Sequence, residues 1–345
     1  MNDLSEWLRS RGRRAVYPQM GGVGLKLTPY RMFQVYEDPE KQLEISLRIE
    51  ETFSTDFTYP VDFGYVFLHD LGLDMLKPDH DFPSVLENPA KTAEQIEHFR
   101  RAWEQGLDLC GEKGGKALLP AYLESIEKIA SRIPKPEMVA VPGPFTLAGE
   151  LVGITDLAKF TLKKPQLVEA ALELTEEILC GFITEAVDRG ASLIQISEPT
   201  AVILSPAMFR KWITPGLRRM FGHINGRAWS ALHICGNVDA YLDEMISAGP
   251  MVLSLDQIMD MKAAAERTPG NIILAGNTDP VGIMLQGTPE QVRSAVETLL
   301  NEMAPYDNYM PSFGCDCPVD TPVENMQAFT EAVYGWKKGD GGQQR

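Results

Sequence analysis

The chain is short of positive charge, of long apolar runs and of cysteine, and each shortage removes a class of protein. It carries 32 Lys and Arg against 48 Asp and Glu, a net charge of −16. Gripping a phosphate backbone needs a basic face, so nucleic acid is not an expected partner. No stretch of 18 apolar residues occurs, so no segment reads as a membrane span. The first residues include Arg9, Arg11, Arg13 and Arg14 but no apolar core of a secretory signal, and Asp3 and Glu6 argue against an organellar presequence. That segment, 1–14, is expected to be a solvated helix with a basic face. Five cysteines, an odd number in 345 residues, do not make a disulfide scaffold. A reducing, cytoplasmic location is expected, with Cys110 and Cys180 as small buried hydrophobes. A glycine-rich dinucleotide turn is missing too. Gly21-Gly22-Val23-Gly24 lacks the third glycine at the required place, which argues against an open doubly wound sheet. A flexible loop is expected there.

Apolar residues make up 44% of the chain, enough for a large core. Short apolar runs at 15–20, 57–62, 138–141, 193–197, 228–233, 251–255, 271–275 and 309–313 read as eight strands, separated by amphipathic helices. Ile96, Phe99, Trp103 and Leu107 repeat at helical spacing, and 164–188 reads as a long helix with Pro165 near its start and Gly190 just past its end. Strands alternating with helices give a parallel sheet. Eight such units predict an α/β fold, a single (β/α)8 TIM barrel over 1–340 followed by a flexible tail at 341–345. The stretch from about 63 to 137 exceeds any βα loop, so extra helices are expected between the second and third strands. Residues 38–53 alternate like a strand but open on Asp38-Pro39-Glu40, which favours a helix. Ser205-Pro206, Thr288-Pro289-Glu290-Gln291 and Thr321-Pro322-Val323-Glu324 mark helix starts, the last two as capping boxes.

In such a barrel the working residues gather where strands end. The expected ends carry Asp62, Glu198, His233-Ile234-Cys235, Asp256, Asn277-Thr278-Asp279 and Cys315-Asp316-Cys317. His233 and Cys235 are two apart, so both side chains fall on one face of an extended segment. An imidazole and a thiolate together suit zinc. Cys315 or Cys317 can supply a third ligand. Three protein ligands leave a fourth position for substrate, which marks a catalytic rather than a structural site. Asp256 is a candidate for that fourth position at rest. A buried histidine beside a small thiol is the plainer alternative, and Asp62, Glu198 and Asp279 could each simply cap a helix. Tyr59, Phe63, Tyr65 and Phe67 could line an apolar pocket or pack in the core.

Several motifs have a familiar look. His233-Ile234-Cys235-Gly236-Asn237, Gly276-Asn277-Thr278-Asp279-Pro280, Gly287-Thr288-Pro289-Glu290 and Gly314-Cys315-Asp316-x-Pro318-x-x-Thr321-Pro322-x-Glu324-Asn325 resemble the uroporphyrinogen decarboxylase superfamily, in its branch of zinc- and cobamide-dependent methyltransferases. Pro142-Gly143-Pro144-Phe145-Thr146 and Glu198-Pro199 fit as well. The resemblance is good over 138–330 and thin before it. It implies a (β/α)8 barrel with zinc on His233, Cys235 and Cys315. Cys317 falls where the family usually has an aliphatic residue. The decarboxylases carry an arginine-rich segment after the first strand to grip substrate carboxylates, and here that place reads Met20-Gly21-Gly22-Val23-Gly24. Asp56 resembles a decarboxylase acid but is shifted by an insertion. The resemblance therefore implies methyl transfer between a small donor, such as a methoxylated aromatic or methanol, and the cobalt of a corrinoid-carrying partner protein. Asp62, Glu198 or Asn277 would position or protonate the leaving group. A methylcobamide:thiol methyltransferase, a decarboxylase and a non-enzymatic zinc-binding barrel are the alternatives.

Overall fold

The computed structural model describes residues 3–17, 21–53, 55–61, 64–79, 82–104 and 116–338. Two short strands, β1 (Met75–Leu76) and β2 (Ser84–Val85), pair antiparallel away from the main sheet. The main sheet holds β3 (Glu137–Pro142), β4 (Ala191–Ser197), β5 (Trp229–Ile234), β6 (Val252–Leu255), β7 (Ile273–Thr278) and β8 (Tyr309–Phe313), all parallel and in chain order. These are the third to eighth strands expected from sequence. Their side chains are almost wholly buried, as expected of a parallel sheet covered on both faces.

The described parts of the first two expected strands, 15–17 and 57–61, sit at the two open edges and form no regular ladder there. Tyr17 N–H donates to the Pro311 carbonyl of β8 at 3.0 Å, and Ser312 Oγ donates to the Tyr17 carbonyl at 2.9 Å. At the other edge Thr58 N–H donates to Pro136 O, and Met138 N–H donates to Thr58 O, an isolated parallel bridge beside β3. The two segments meet: Val16 N–H donates to Asp56 Oδ2 at 2.9 Å, and the Tyr17 and Phe57 rings lie 6.2 Å apart. The barrel closes through them. Pro60 and Pro311 lack the N–H that a continuous ladder needs there, which limits pairing to these few bonds.

Helices fill the long stretch before β3, at Tyr65–Asp70, Ala93–Glu104 and Leu119–Arg132. Residues Pro39–Phe53 are helical, as favoured, and bury Leu43, Ile45, Ile49 and Phe53. The long helix runs Pro165–Asp188. Three expectations need correction. Gly21–Leu27 is a 3-10 helix rather than a flexible loop. It packs closely, since a Cβ on Gly24 would lie 2.7 Å from the Ile45 and Ile49 side chains. The Thr321 capping box does not form. Thr321 Oγ1 donates to Pro318 O, and the helix starts at Val323 with no side-chain cap. The basic N-terminal segment is not merely a solvated face. Helix Leu4–Ser10 packs Trp7 on Phe57 and Trp229. Arg11 and Arg13 bind the Asp56 carboxylate at 2.7 and 2.9 Å, and Arg14 donates to the carbonyls of Met303, Asp307 and Tyr309. Cys110 lies outside the described residues. Cys180 is half-buried on the long helix. Among the described residues no helix is long and apolar enough to cross a membrane.

Candidate metal centre and its cavity

The C-terminal end of β5 delivers His233 and Cys235, and the segment after β8 delivers Cys315. Their ligand atoms all lie within 4.8 Å of one another. His233 Nε2 is 3.1 Å from Cys235 Sγ, and Cys235 Sγ is 3.2 Å from Cys315 Sγ. On its other side His233 Nδ1 lies 3.2 Å from Ser254 O and 3.1 Å from Ser254 Oγ. The Ser254 carbonyl can only accept, so Nδ1 carries the proton and the Nε2 lone pair faces the thiols. This is the outer-shell bond that orients a ligating histidine. Gly314 is required by crowding: a Cβ there would lie 2.2 Å from Gln257 N. That close approach lets the chain after β8 bring Cys315 beside β5.

The trio is poorly satisfied as it stands. The Cys315 thiol is pushed upward, first by its contact with Cys235 and then by burial. Two thiols and an imidazole pressed together in a low-dielectric site are what a cation would relieve. The donor set and its spacing therefore fit a soft divalent metal. Cys317 is apart from the trio, 1% exposed in the hydrophobic core.

The acids expected to do chemistry are occupied otherwise. Glu198, fully buried, accepts from Phe145 N at 3.0 Å, Thr146 N at 2.6 Å and the Thr146 hydroxyl. It caps the first turn of helix Pro144–Val152 from across the fold, a favourable place for a carboxylate. Burial pushes its pKa up to about 7 against the downward pull of those three donors. Gly143 must be glycine here, since a Cβ would lie 2.1 Å from Glu198 Oε2. The structure does not bring Asp256 into the trio. Its Oδ2 accepts from Gly236 N at 2.8 Å and its Oδ1 from Ile258 N at 3.0 Å. Asn277 Nδ2 donates to the carbonyls of Asp256 and Met259 at 3.0 and 2.7 Å. Together these two brace the ends of β5, β6 and β7. Asp279 caps the turn that follows β7. Asp62 and Phe63 lie outside the described residues. Tyr59 is 5% exposed, and its hydroxyl has no hydrogen-bond partner among the described residues. Phe67 packs in the core.

A cavity of about 220 Å³ opens beside the trio. His233, Cys235 and Cys315 form one wall, and Tyr65, Leu68, Val141, Pro142 and Leu147 give apolar surface. Tyr65 stacks on Phe82 with centroids 6.0 Å apart. Sequence reading gave no role to two further lining residues, Asp316 and Glu150. Burial pushes the Asp316 pKa up to about 7, with His233 pulling it down, and burial likewise raises Glu150. Asp316 stands in the Cys315-Asp316-Cys317 strand-end motif without a role of its own. Glu150 could have been noticed four residues after Thr146, one helical turn on the same face.

A model of the family described as "Uroporphyrinogen decarboxylase (URO-D)" matches residues 21–336. The chain belongs to that family. Among its curated relatives is the methylcobamide:CoM methyltransferase MtaA of Methanosarcina barkeri, 29% identical over 223 residues, 62% of this chain and 63% of the relative. The match thus spans less than two thirds of that relative's length. The methylcobamide:CoM methyltransferase MtbA of Methanosarcina acetivorans is 28% identical over 260 residues, 74% of this chain and 72% of the relative. In three dimensions a solved methyltransferase from Methanosarcina mazei superposes with a TM-score of 0.81, covering 96% of this chain and 98% of that one at 22% identity. That likeness shows the fold, an α/β TIM barrel.

Proposed function

We propose that this family member is a zinc-dependent corrinoid methyltransferase, with His233, Cys235 and Cys315 as the metal ligands. The observation that carries it is the convergence of an imidazole and two thiols, from β5 and from the segment after β8, on one small cavity at the strand ends. When bound, zinc would supply Lewis acidity, lowering the pKa of a substrate thiol or improving the leaving group of a methyl donor. The chain's own residues do the rest. Ser254 fixes the His233 tautomer and ring. Asp256 and Asn277 hold the loops that carry the ligands. Glu198 fixes the helix that forms the opposite wall, through Thr146 and Leu147. The methyl group would pass between a small substrate in the cavity and the cobalt of a corrinoid protein docked over it.

The similarity to methylcobamide:CoM methyltransferases supports a thiol as the small substrate. The apolar wall of Tyr65, Leu68, Val141 and Leu147 supports a second reading, a methyl ether or methanol as donor. Metal analysis of purified protein should find about one zinc per chain, as a three-ligand catalytic site requires. Methyl transfer should be detected either from methylcobalamin to a thiol or from a methyl ether or methanol to cob(I)alamin. Protein that is folded, free of metal and unable to bind added zinc would overturn the proposal.

A further inference from the structure

The described lining of the cavity beside the metal trio is one-sided in its polar chemistry. Asp316 and Glu150 both line it, and none of its described lining residues is a lysine or an arginine. Hydrogen-bond accounting sets these two acids apart from their neighbours. Glu198, Asp256 and Asp279 each accept from two or three backbone or side-chain donors. The side-chain carboxyls of Asp316 and Glu150 accept from no donor among the described residues, the Asn88 amide going to the Glu150 backbone carbonyl. Buried or half-buried carboxylic acids without donors are a standing cost unless something that enters the cavity meets them. Apart from the proposed zinc, which the thiol would occupy, a sulfonate or carboxylate entering there would find acidic residues and no lysine or arginine among the described lining residues. An amine would find two acceptors and, beyond them, apolar surface for a short carbon skeleton.

We propose that this pocket takes a small substrate bearing an amine, and discriminates against one bearing a sulfonate or carboxylate. The inference rests on the reading that the cavity is the site of methyl transfer. Its test uses three thiols of one skeleton, 2-aminoethanethiol, 2-mercaptoethanol and 2-mercaptoethanesulfonate, with free methylcobalamin as methyl donor. In that reaction the thiol sulfur forms a bond to the methyl carbon as the carbon–cobalt bond breaks. The electron pair stays on cobalt as cob(I)alamin, and the thiol proton goes to solvent. Two readouts are taken on zinc-loaded protein: the rate of cob(I)alamin formation, and the rise in melting temperature with each thiol alone, which reports binding without turnover.

The expected kcat/KM falls at least about tenfold from amine to sulfonate, about 1.4 kcal/mol, with the alcohol between. The melting shifts should follow the same order. Glu150→Gln and Asp316→Asn should each shrink the amine-to-sulfonate ratio. Comparing ratios cancels the intrinsic reactivity of each thiol and the repulsion of anions by the net charge of −16. Glu150→Gln is the cleaner variant, because Asp316 adjoins Cys315. Turnover with equal or sulfonate-favouring rates overturns the selectivity and leaves methyl transfer standing. An amine-selective melting shift without turnover of any thiol upholds the selectivity and counts against methyl transfer. Neither binding nor turnover overturns the inference.

Discussion

Glu137 at the start of β3 and Glu198 just past the end of β4 are both fully buried, yet they lie at opposite ends of the barrel in opposite surroundings. Glu198 accepts three hydrogen bonds and fixes a wall of the cavity. Neither carboxyl oxygen of Glu137 has a partner among the described residues, and burial raises its pKa well above the usual glutamate range. The floor also holds a satisfied acid. Asp56 takes Arg11, Arg13, Val16 N–H and the Tyr334 hydroxyl, tying the N-terminal segment to the last helix. Burial alone would raise its pKa, but Arg13, Val16 and Arg11 outweigh it and hold the carboxyl below its ordinary value. Burial by itself therefore does not mark a working residue. The informative quantity is demand left unmet, and at the mouth that demand converges on one cavity. Glu137 does not line the cavity beside the metal trio.

The largest effect expected from this contrast concerns two cysteines two residues apart. Cys315→Ala should reduce bound zinc and methyl transfer to background, because two remaining ligands hold zinc weakly. Cys317→Ala should keep the metal and cost only about 1 kcal/mol of stability from the small cavity it opens. Zinc competition titration and urea unfolding on both variants separate the two. Loss of zinc from the Cys317 variant alone would break the comparison.

Next come the satisfied acids. Asp56→Ala leaves two arginines facing a buried gap and should cost about 3 kcal/mol in denaturant unfolding. Its zinc content and its kcat/KM per folded molecule should hold, since Asp56 acts on the floor. Glu198→Ala should cost less stability, about 2 kcal/mol for the lost cap and exposed donors. It should nonetheless lower kcat/KM more, because Thr146, Leu147 and Glu150 on the freed helix line the cavity. An Asp56 variant impaired in turnover but not in stability would reverse the assignment of the two ends.

Much of this was legible in the sequence, for physical reasons that differ by region. Strands β3–β8 are buried on both faces, so each shows as an apolar run bounded by turn residues. The first two strand positions carry prolines and few ladder bonds, and periodicity alone made them look more regular than they are. His233 and Cys235 were legible because both lie at one strand end, where two-residue spacing fixes a shared face. Choosing Cys315 over Cys317 needed tertiary closeness, at which strand-end placement and family resemblance hinted. Glu198, Asp256 and Asn277 were read as chemical groups, yet each serves backbone amides or carbonyls of loops far away in sequence. Asp316 and Glu150 went unassigned because a missing donor is a property of three-dimensional surroundings, which no motif encodes.

The smallest expected effect tests the unpartnered acid on the floor. Glu137 has a raised pKa in the folded state. Between the ordinary glutamate value, about 4.3, and that raised value, the unfolded chain has lost a proton that the folded chain keeps. Stability then falls as pH rises through this window. Glu137→Gln cannot ionise, so its share of the fall should vanish. Urea unfolding should give a variant-minus-wild-type difference that grows steadily as pH rises from about 4.5 toward about 8. Reading the change in the difference, rather than its absolute size, removes the cost of burying an unpaired amide. Glu198, pushed up to about 7, contributes a fall of the same sign. A residual slope in the variant that flattens above pH 7 therefore belongs to the mouth. A variant and wild type with parallel profiles would mean that folding leaves the Glu137 carboxyl at its ordinary pKa, so that it is no unmet buried acid, and the contrast between the two ends would fail.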